Sequence, residues 1–232
     1  MRMKILNDLW ELFFPRYCLV CGRRLLGCEE YLCHSCLSAL PRTHLHKKPD
    51  NDVEKNFWGK FPIEKATAYL RYVKGGNVSK LLFELKYYGN SRLGHFLGRC
   101  MAAELLSSGF FRGIDCIVPV PLHPRKFKKR GYNQCEMLAE GLSSVTGIPV
   151  ARNVLRRKQD AGTQTHKGSM ERWMGVEGAF ECIDSSLLEG KHVLLVDDVL
   201  TTGATLVSCA DAFGKVFGLR ISVLTLALSV DS

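Results

Sequence analysis

The sequence predicts an α/β protein, a parallel sheet flanked by helices, with a small metal-stabilised module in front of it. Two observations carry this. From residue 66 to residue 228, apolar strand-like runs alternate with segments of helical period, the chain order of a doubly wound sheet. Five of the ten cysteines crowd between Cys18 and Cys36 while the others stand singly, which favours a metal site in a reducing compartment over a disulfide framework. With 232 residues, 46% of them hydrophobic, the chain can bury one sizeable core plus a small appendage. No apolar run reaches the ~18 to 20 residues that span a bilayer. The first residues lack the unbroken apolar stretch of a secretory signal, so the expected location is cytoplasmic.

Taken in order, residues 1–14 carry Leu6, Leu9, Trp10 and Phe13 at helical spacing, interrupted by Asp8 and Glu11. They are expected to form a short amphipathic helix that docks onto the body or a partner. Cys18-Leu-Val-Cys21-Gly22 and Cys33-His-Ser-Cys36 are two CxxC knuckles separated by eleven residues. Each offers a thiolate pair to one ion, so Cys18, Cys21, Cys33 and Cys36 are the expected ligands of a structural zinc, with Cys28 and His34 outside the shell. We assign residues 1–45 to this module, residues 46–62, with Pro49, Asp50, Asn51 and Asp52, to a polar linker, and residues 63–232 to the sheet domain.

Within that domain, residues 66–73 alternate as a strand that stops at Gly75-Gly76. Val78, Leu81, Leu82 and Leu85 then share one helical face, and Leu93, Phe96, Leu97, Met101 and Leu105 share another. Residues 116–121 read as a buried strand whose prolines take the chain out of the sheet. A helix over 133–146, a strand over 150–155, a helix over 166–174, a helix over 203–217 and a strand over 220–228 complete the expected order.

The most informative stretch is 193–205. Val193 to Val196 are too continuously apolar for a half-exposed strand and suit a parallel strand covered on both faces. A ligand then lies at its carboxyl end, where Asp197 and Asp198 can accept hydrogen bonds from a sugar's vicinal hydroxyls. Thr201, Thr202, Gly203, Ala204 and Thr205 follow, offering backbone N–H groups, hydroxyls and a flexible glycine to a phosphate at a helix start. No Walker A lysine or GxGxxG pattern lies nearby, which argues against a nucleotide triphosphatase or a dinucleotide reader.

Three other segments are expected to be loops around the same pocket. Val118-Pro119-Val120-Pro121 runs on through Arg125, Lys126 and Arg130 to Asn133-Gln134, bringing positive charge toward whatever leaves the ribose. Residues 163–166, with Arg172, have the polarity of a hood over a bound substrate and equally of a plain surface loop. Lys86-Tyr87-Tyr88 is read as packing a helix end in preference to stacking on bases. The net charge of +9, concentrated at residues 125–130, 156–158 and 47–48, suits polyanionic ligands.

In sequence, residues 193–205 resemble at every position the signature of type I phosphoribosyltransferases, which bind 5-phosphoribosyl-1-pyrophosphate (PRPP). With the paired CxxC module, Lys86-Tyr-Tyr-Gly89, Pro119-Val-Pro-Leu-His-Pro124, Arg130-Gly-Tyr-Asn-Gln134 and Thr163-Gln-Thr165, the chain resembles the ComF family of bacterial competence proteins over nearly its whole length. The resemblance implies a type I phosphoribosyltransferase fold behind a zinc-ribbon-like module. It implies that Asp197 and Asp198 hold the ribose hydroxyls, that residues 201–205 hold the 5′-phosphate, and that residues 118–121 meet the pyrophosphate with its Mg2+. Arg125 and Arg130 are then the expected catalytic residues, stabilising the departing pyrophosphate. The implied partners are PRPP, single-stranded DNA, and a competence helicase or other DNA-uptake proteins. Gly175 stands where relatives have asparagine, which puts a hood contact from that position, but not the cradle, in question. Thr201 replaces the aspartate with which similar purine-salvage enzymes meet their base, and this argues against a 6-oxopurine acceptor.

Overall fold

The computed structural model describes residues 15–158, 178–214 and 216–229. The central sheet holds β1 (Lys65–Tyr72), β2 (Cys116–Pro119), β5 (His192–Leu200) and β6 (Arg220–Ser229) in the order β1-β6-β5-β2, every pair parallel. This is the expected α/β class. Alternation along each strand divides the core in two. Leu194, Val196 and Leu224 face α3 (Asn77–Tyr87), α4 (Ser91–Leu106) and α6 (Gln134–Thr146), whereas Val193, Leu195 and Val223 face α7 (Ala204–Phe213). Both faces are covered, which is why the run Val193 to Val196 contains no polar residue.

α4 and α6 touch backbone to backbone. A Cβ at Gly98 would sit 2.2 Å from the Leu138 carbonyl, and one at Gly141 would sit 2.2 Å from that of His95. The two glycines therefore set how closely α6, and the site residues at its start, can approach the sheet.

The cysteine module is docked, not tethered. Leu25, Leu32 and Leu40 are buried in the same core as Phe96 and Leu97 of α4. Tyr31 packs on Phe96 with ring centroids 5.4 Å apart, and Lys80 donates to the Val20 carbonyl at 3.3 Å. The stretch expected to be a polar linker is also packed. It holds a 3-10 turn, Leu45–Lys47, and the short helix α2 (Asp52–Lys55), which Asn51 opens with a complete capping box. Val53 and Phe57 are fully buried against the sheet. Polarity was misleading there because Asn51 spends its side chain on backbone, capping α2 and donating to the Ala66 carbonyl at 2.9 Å.

Other expectations change in detail. Residues 124–130 form a helix, α5 (Pro124–Arg130), with proline in its first turn and Gly131 at φ 82 ending it. The strand expected over 150–155 is a single parallel bridge from Val150 to Ile117. Asn153 then takes a left-handed conformation, and the chain re-emerges as β3 (Leu155–Arg157), which pairs antiparallel with β4 (Phe180–Cys182) in a separate ribbon. α7 stops at Phe213 because Gly214, at φ 58, ends it. The amphipathic helix expected over 1–14, the hood residues 163–166, Arg172 and Gly175, and the helix expected over 166–174 lie outside the described residues. No helix among the described residues is long and apolar enough to cross a membrane.

Candidate active site

At the carboxyl end of β5 the chain passes from fully buried Val196 to Asp197, half-buried, and Asp198, 7% exposed. Backbone direction reverses their roles. Asp197 points toward α6, where the Cys135 thiol donates to its Oδ1 at 3.3 Å and the Asp198 N–H donates to the same oxygen at 2.8 Å. Asp198 points into the cavity, where Lys86 Nζ lies 3.0 Å from its Oδ2 and the Gln134 amide donates to that oxygen at 2.8 Å. Arg130 in turn donates to the Gln134 carbonyl oxygen. A chain of polar contacts thus runs from α5 through α6 to the sheet and on to α3.

Burial, with the Asp198 charge next to it, pushes the Asp197 carboxyl up to about 7. Burial and the same two carboxylates push the Cys135 thiol well up, so it serves as a neutral donor and not as a thiolate.

The loop after β5 leads to α7. Thr201 and Thr202 are exposed, Gly203 is buried at φ 79, and Ala204 and Thr205 are half-buried. A Cβ at Gly203 would meet Asn56 Oδ1 at 2.8 Å and the Phe57 ring at 3.0 Å, so the end of α2 clamps the loop. Only glycine supplies both the conformation and the clearance.

The cavity in front of these groups has a volume of about 590 Å3, and Asp197, Asp198 and Thr205 all line it. Its cationic lining is Lys86, Lys126, Lys129, Arg130 and Arg157, more positive charge than the two carboxylates neutralise. Such a pocket suits a ligand that offers both hydroxyl donors and anionic groups. Of residues 118–121, Val120 and Pro121 reach it, whereas Val118 is buried in the core and Pro119 lies behind, in a smaller cleft. Asn133 fixes this turn, capping α6 at Cys135 N and donating to the Val120 carbonyl at 3.0 Å.

Arg125 does not share the cavity. Helical spacing on α5 puts Lys126, Lys129 and Arg130 on the face that lines the cavity and turns Arg125 away from it. Tyr87 and Tyr88 are not packing groups either. They are 61% and 66% exposed, with Tyr87 on the cavity rim and the Arg130 guanidinium 6.0 Å from its ring centroid. Cys135 and Arg157 were missed from the sequence, because a lone cysteine inside an apolar helix face reads as core and nothing local places a ribbon beside the pocket.

Well away in sequence, the sulfurs of Cys18, Cys21, Cys33 and Cys36 lie within 4.8 Å of one another. The Cys21 and Cys33 sulfurs are 3.8 Å apart, the separation that a tetrahedron with metal–sulfur bonds of about 2.3 Å requires. Burial raises the Cys18 thiol, but backbone N–H groups of Cys21, Cys33 and Val20 outweigh it and bring it to about 6, favouring the ligating thiolate. Cys28 is exposed and outside the cluster.

Residues 132–229 match the phosphoribosyl transferase domain family. Among curated proteins, the chain is 29% identical over 196 residues to the DNA utilization protein YhgH of Escherichia coli (strain K12), covering 83% of this chain and 82% of that protein. It is 36% identical to competence protein F of Haemophilus influenzae, covering 40% of this chain and 41% of that one. To competence protein ComFC of Bacillus subtilis it is 37% identical, covering 39% and 34%. Among solved structures, it is similar to the glutamine PRPP amidotransferase from B. subtilis complexed with ADP and GMP, with a TM-score of 0.42 and 21% identity, covering 62% of this chain and 30% of that one. The match of residues 132–229 and this set of relatives, with the parallel sheet and the four clustered cysteines beside them, support a ComF-like protein with a phosphoribosyl transferase domain.

Proposed function

We propose that the cavity binds PRPP with Mg2+ and that the protein transfers the phosphoribosyl group to an acceptor in the setting of DNA uptake or use, as the names of its relatives suggest. The observation that carries this reading is the placement of Asp197 and Asp198 at one end of a cation-lined cavity with the Gly203 loop at the start of α7 beside them. In this reading the carboxylates accept from the ribose hydroxyls, and the backbone N–H groups of residues 203–205 take the 5′-phosphate. The C1–oxygen bond breaks with its electron pair leaving on pyrophosphate, and a lone pair of the acceptor forms the new bond to C1. Bound Mg2+ supplies neutralisation of the leaving pyrophosphate. Arg130, held by Gln134 on the cavity wall, supports that charge from the protein side in preference to Arg125, which does not line the cavity. Zinc on Cys18, Cys21, Cys33 and Cys36 is structural, since the four thiolates leave it no open position.

Replacing Asp197 and Asp198 together with alanine should abolish measurable PRPP binding by calorimetry, each charge-assisted hydrogen bond being worth about 1.5 to 3 kcal/mol. Unchanged affinity in the double variant would remove the site assignment. Pyrophosphate release from PRPP against a panel of bases, amines and DNA ends would identify the acceptor.

A second reading, a component that binds PRPP and single-stranded DNA without turnover, is favoured by one surface feature. Phe83, Tyr87 and Tyr88 are all exposed, with ring centroids 4.9 and 5.6 Å from Phe83 to the two tyrosines, beside the basic face of α5. Stacking rings flanked by lysines are what single strands use.

A further inference from the structure

Resting on the PRPP reading, we propose that Lys86 is the residue by which this pocket selects a ribose 5-phosphate that carries an anion at C1 over one that does not.

Lys86 sits on the last turn of α3 with its side chain 25% exposed, and its ammonium lies 3.0 Å from Asp198 Oδ2. Among the described residues, no other lysine or arginine makes an ion pair with either carboxylate of the β5 acidic pair. Its backbone is well anchored. Leu85 next to it is fully buried, and the Tyr132 hydroxyl donates to the Leu85 carbonyl, tying the end of α3 to the turn before α6. The remaining cavity cations are differently placed: Arg130 is engaged with Gln134, the Arg157 guanidinium lies over the Phe180 ring, and Lys126 and Lys129 rise from an exposed helix.

Sugar geometry then fixes what Lys86 can meet. The 2-hydroxyl and the C1 substituent are on adjacent ring carbons. A cation bonded to the carboxylate that accepts the ribose hydroxyls is therefore one hydrogen bond from the oxygen on C1. Lysine has three donors on a rotatable head, so it can hold Asp198 and also reach an anion at C1. With pyrophosphate there, Lys86 gains a charge-assisted bond. With only a hydroxyl at C1, Lys86 stays on Asp198 and competes with the ligand's own hydroxyls for that carboxylate. Gln134, the other partner of Asp198 Oδ2, is neutral and held at both ends, so it contributes equally to either ligand.

The test uses the full zinc-containing chain and calorimetry with two probes, PRPP with Mg2+ and ribose 5-phosphate, on wild type, Lys86→Met and Lys86→Arg. Lys86→Met should weaken PRPP by at least about tenfold while changing ribose 5-phosphate by less than about threefold, and Lys86→Arg should keep most of the preference. A common loss for both probes would make Lys86 a structural residue and overturn the proposal, as would an unchanged preference in Lys86→Met. Thermal melts report whether Lys86→Met folds; if it does not, loss of the preference in Lys86→Gln supports the assignment and its retention defeats it. Wild type binding neither probe would overturn the PRPP reading itself and this inference with it, whereas PRPP binding with no selectivity in wild type would end only the inference.

Discussion

Asp197 and Asp198 are neighbours in the chain and both line the cavity, yet a neutral thiol meets the first and an ammonium with an amide meets the second. Their proximity has a measurable cost. The Asp197 carboxyl, pushed up to about 7 by burial and by Asp198, titrates in the folded protein well above its unfolded value near 3.8. Between those two values the folded state binds more protons than the unfolded one, so stability falls as pH rises through this window. The penalty is fully present above about pH 7 and absent below the unfolded value. Asp197→Asn keeps an acceptor for the Cys135 thiol and removes the charge, so it should raise the melting temperature at pH 8 by several degrees, at about 2 to 4 °C per kcal/mol for a chain of this size. That advantage should shrink steadily toward pH 4. Melts of the two proteins across this range decide it, and a pH-independent difference would contradict the shared-charge account.

At the level of elements, the two segments that looked peripheral support the site. Within residues 46–62, the C-terminal end of α2 brings Asn56 and Phe57 against Gly203, so the supposed linker shapes the loop after β5. The cysteine module shares a core with α3 and α4, and Lys86 sits on the last turn of α3. Metal removal should therefore be felt beyond the module. Cys33→Ser should lose zinc and Cys28→Ser should retain it, as metal analysis will show. Chelation should make residues 15–40 protease-sensitive and also lower the melting temperature of the sheet domain, because Leu25, Leu32 and Leu40 leave apolar surface behind when they detach. A sheet domain that melts unchanged after chelation would show that the packing between the two is energetically idle.

For the whole molecule, the +9 charge is not spread evenly: α5 and the β3–β4 ribbon set Lys126, Lys129, Arg130 and Arg157 around one cavity, and the exposed ring of Tyr87, in contact with Phe83, stands on the same rim. If this rim also carries single-stranded DNA, binding will be sequence-tolerant and fall steeply with salt. Charge reversal at Lys126, Lys128 and Lys129 should then lower the slope of log affinity against log salt by roughly 0.7 for each phosphate that is no longer neutralised. Because Lys126 and Lys129 line the cavity as well, DNA and PRPP should compete. Fluorescence anisotropy with labelled oligonucleotides measures both effects, and binding indifferent to the triple reversal would leave the charge without a nucleic-acid role.

What the sequence by itself determined is local and periodic. The parallel-strand class follows from the unbroken run Val193 to Val196 and from the alternation of strand and helix periods, and the metal cluster follows from two CxxC pairs at short range. The placement of the acids on β5 and of the loop after it was legible because all of these residues are adjacent in the chain. Tertiary structure alone decided which distant groups join them. Lys86, Gln134 and Cys135 reach the acids across separations of 112, 64 and 62 residues, only because α3 ends and α6 begins over the same strand terminus. Arg125 left the site for the complementary reason. A basic run shows its charge in sequence, but which of its members faces the cavity is set by the helical turn that α5 makes, and that turn is oriented by what it packs against.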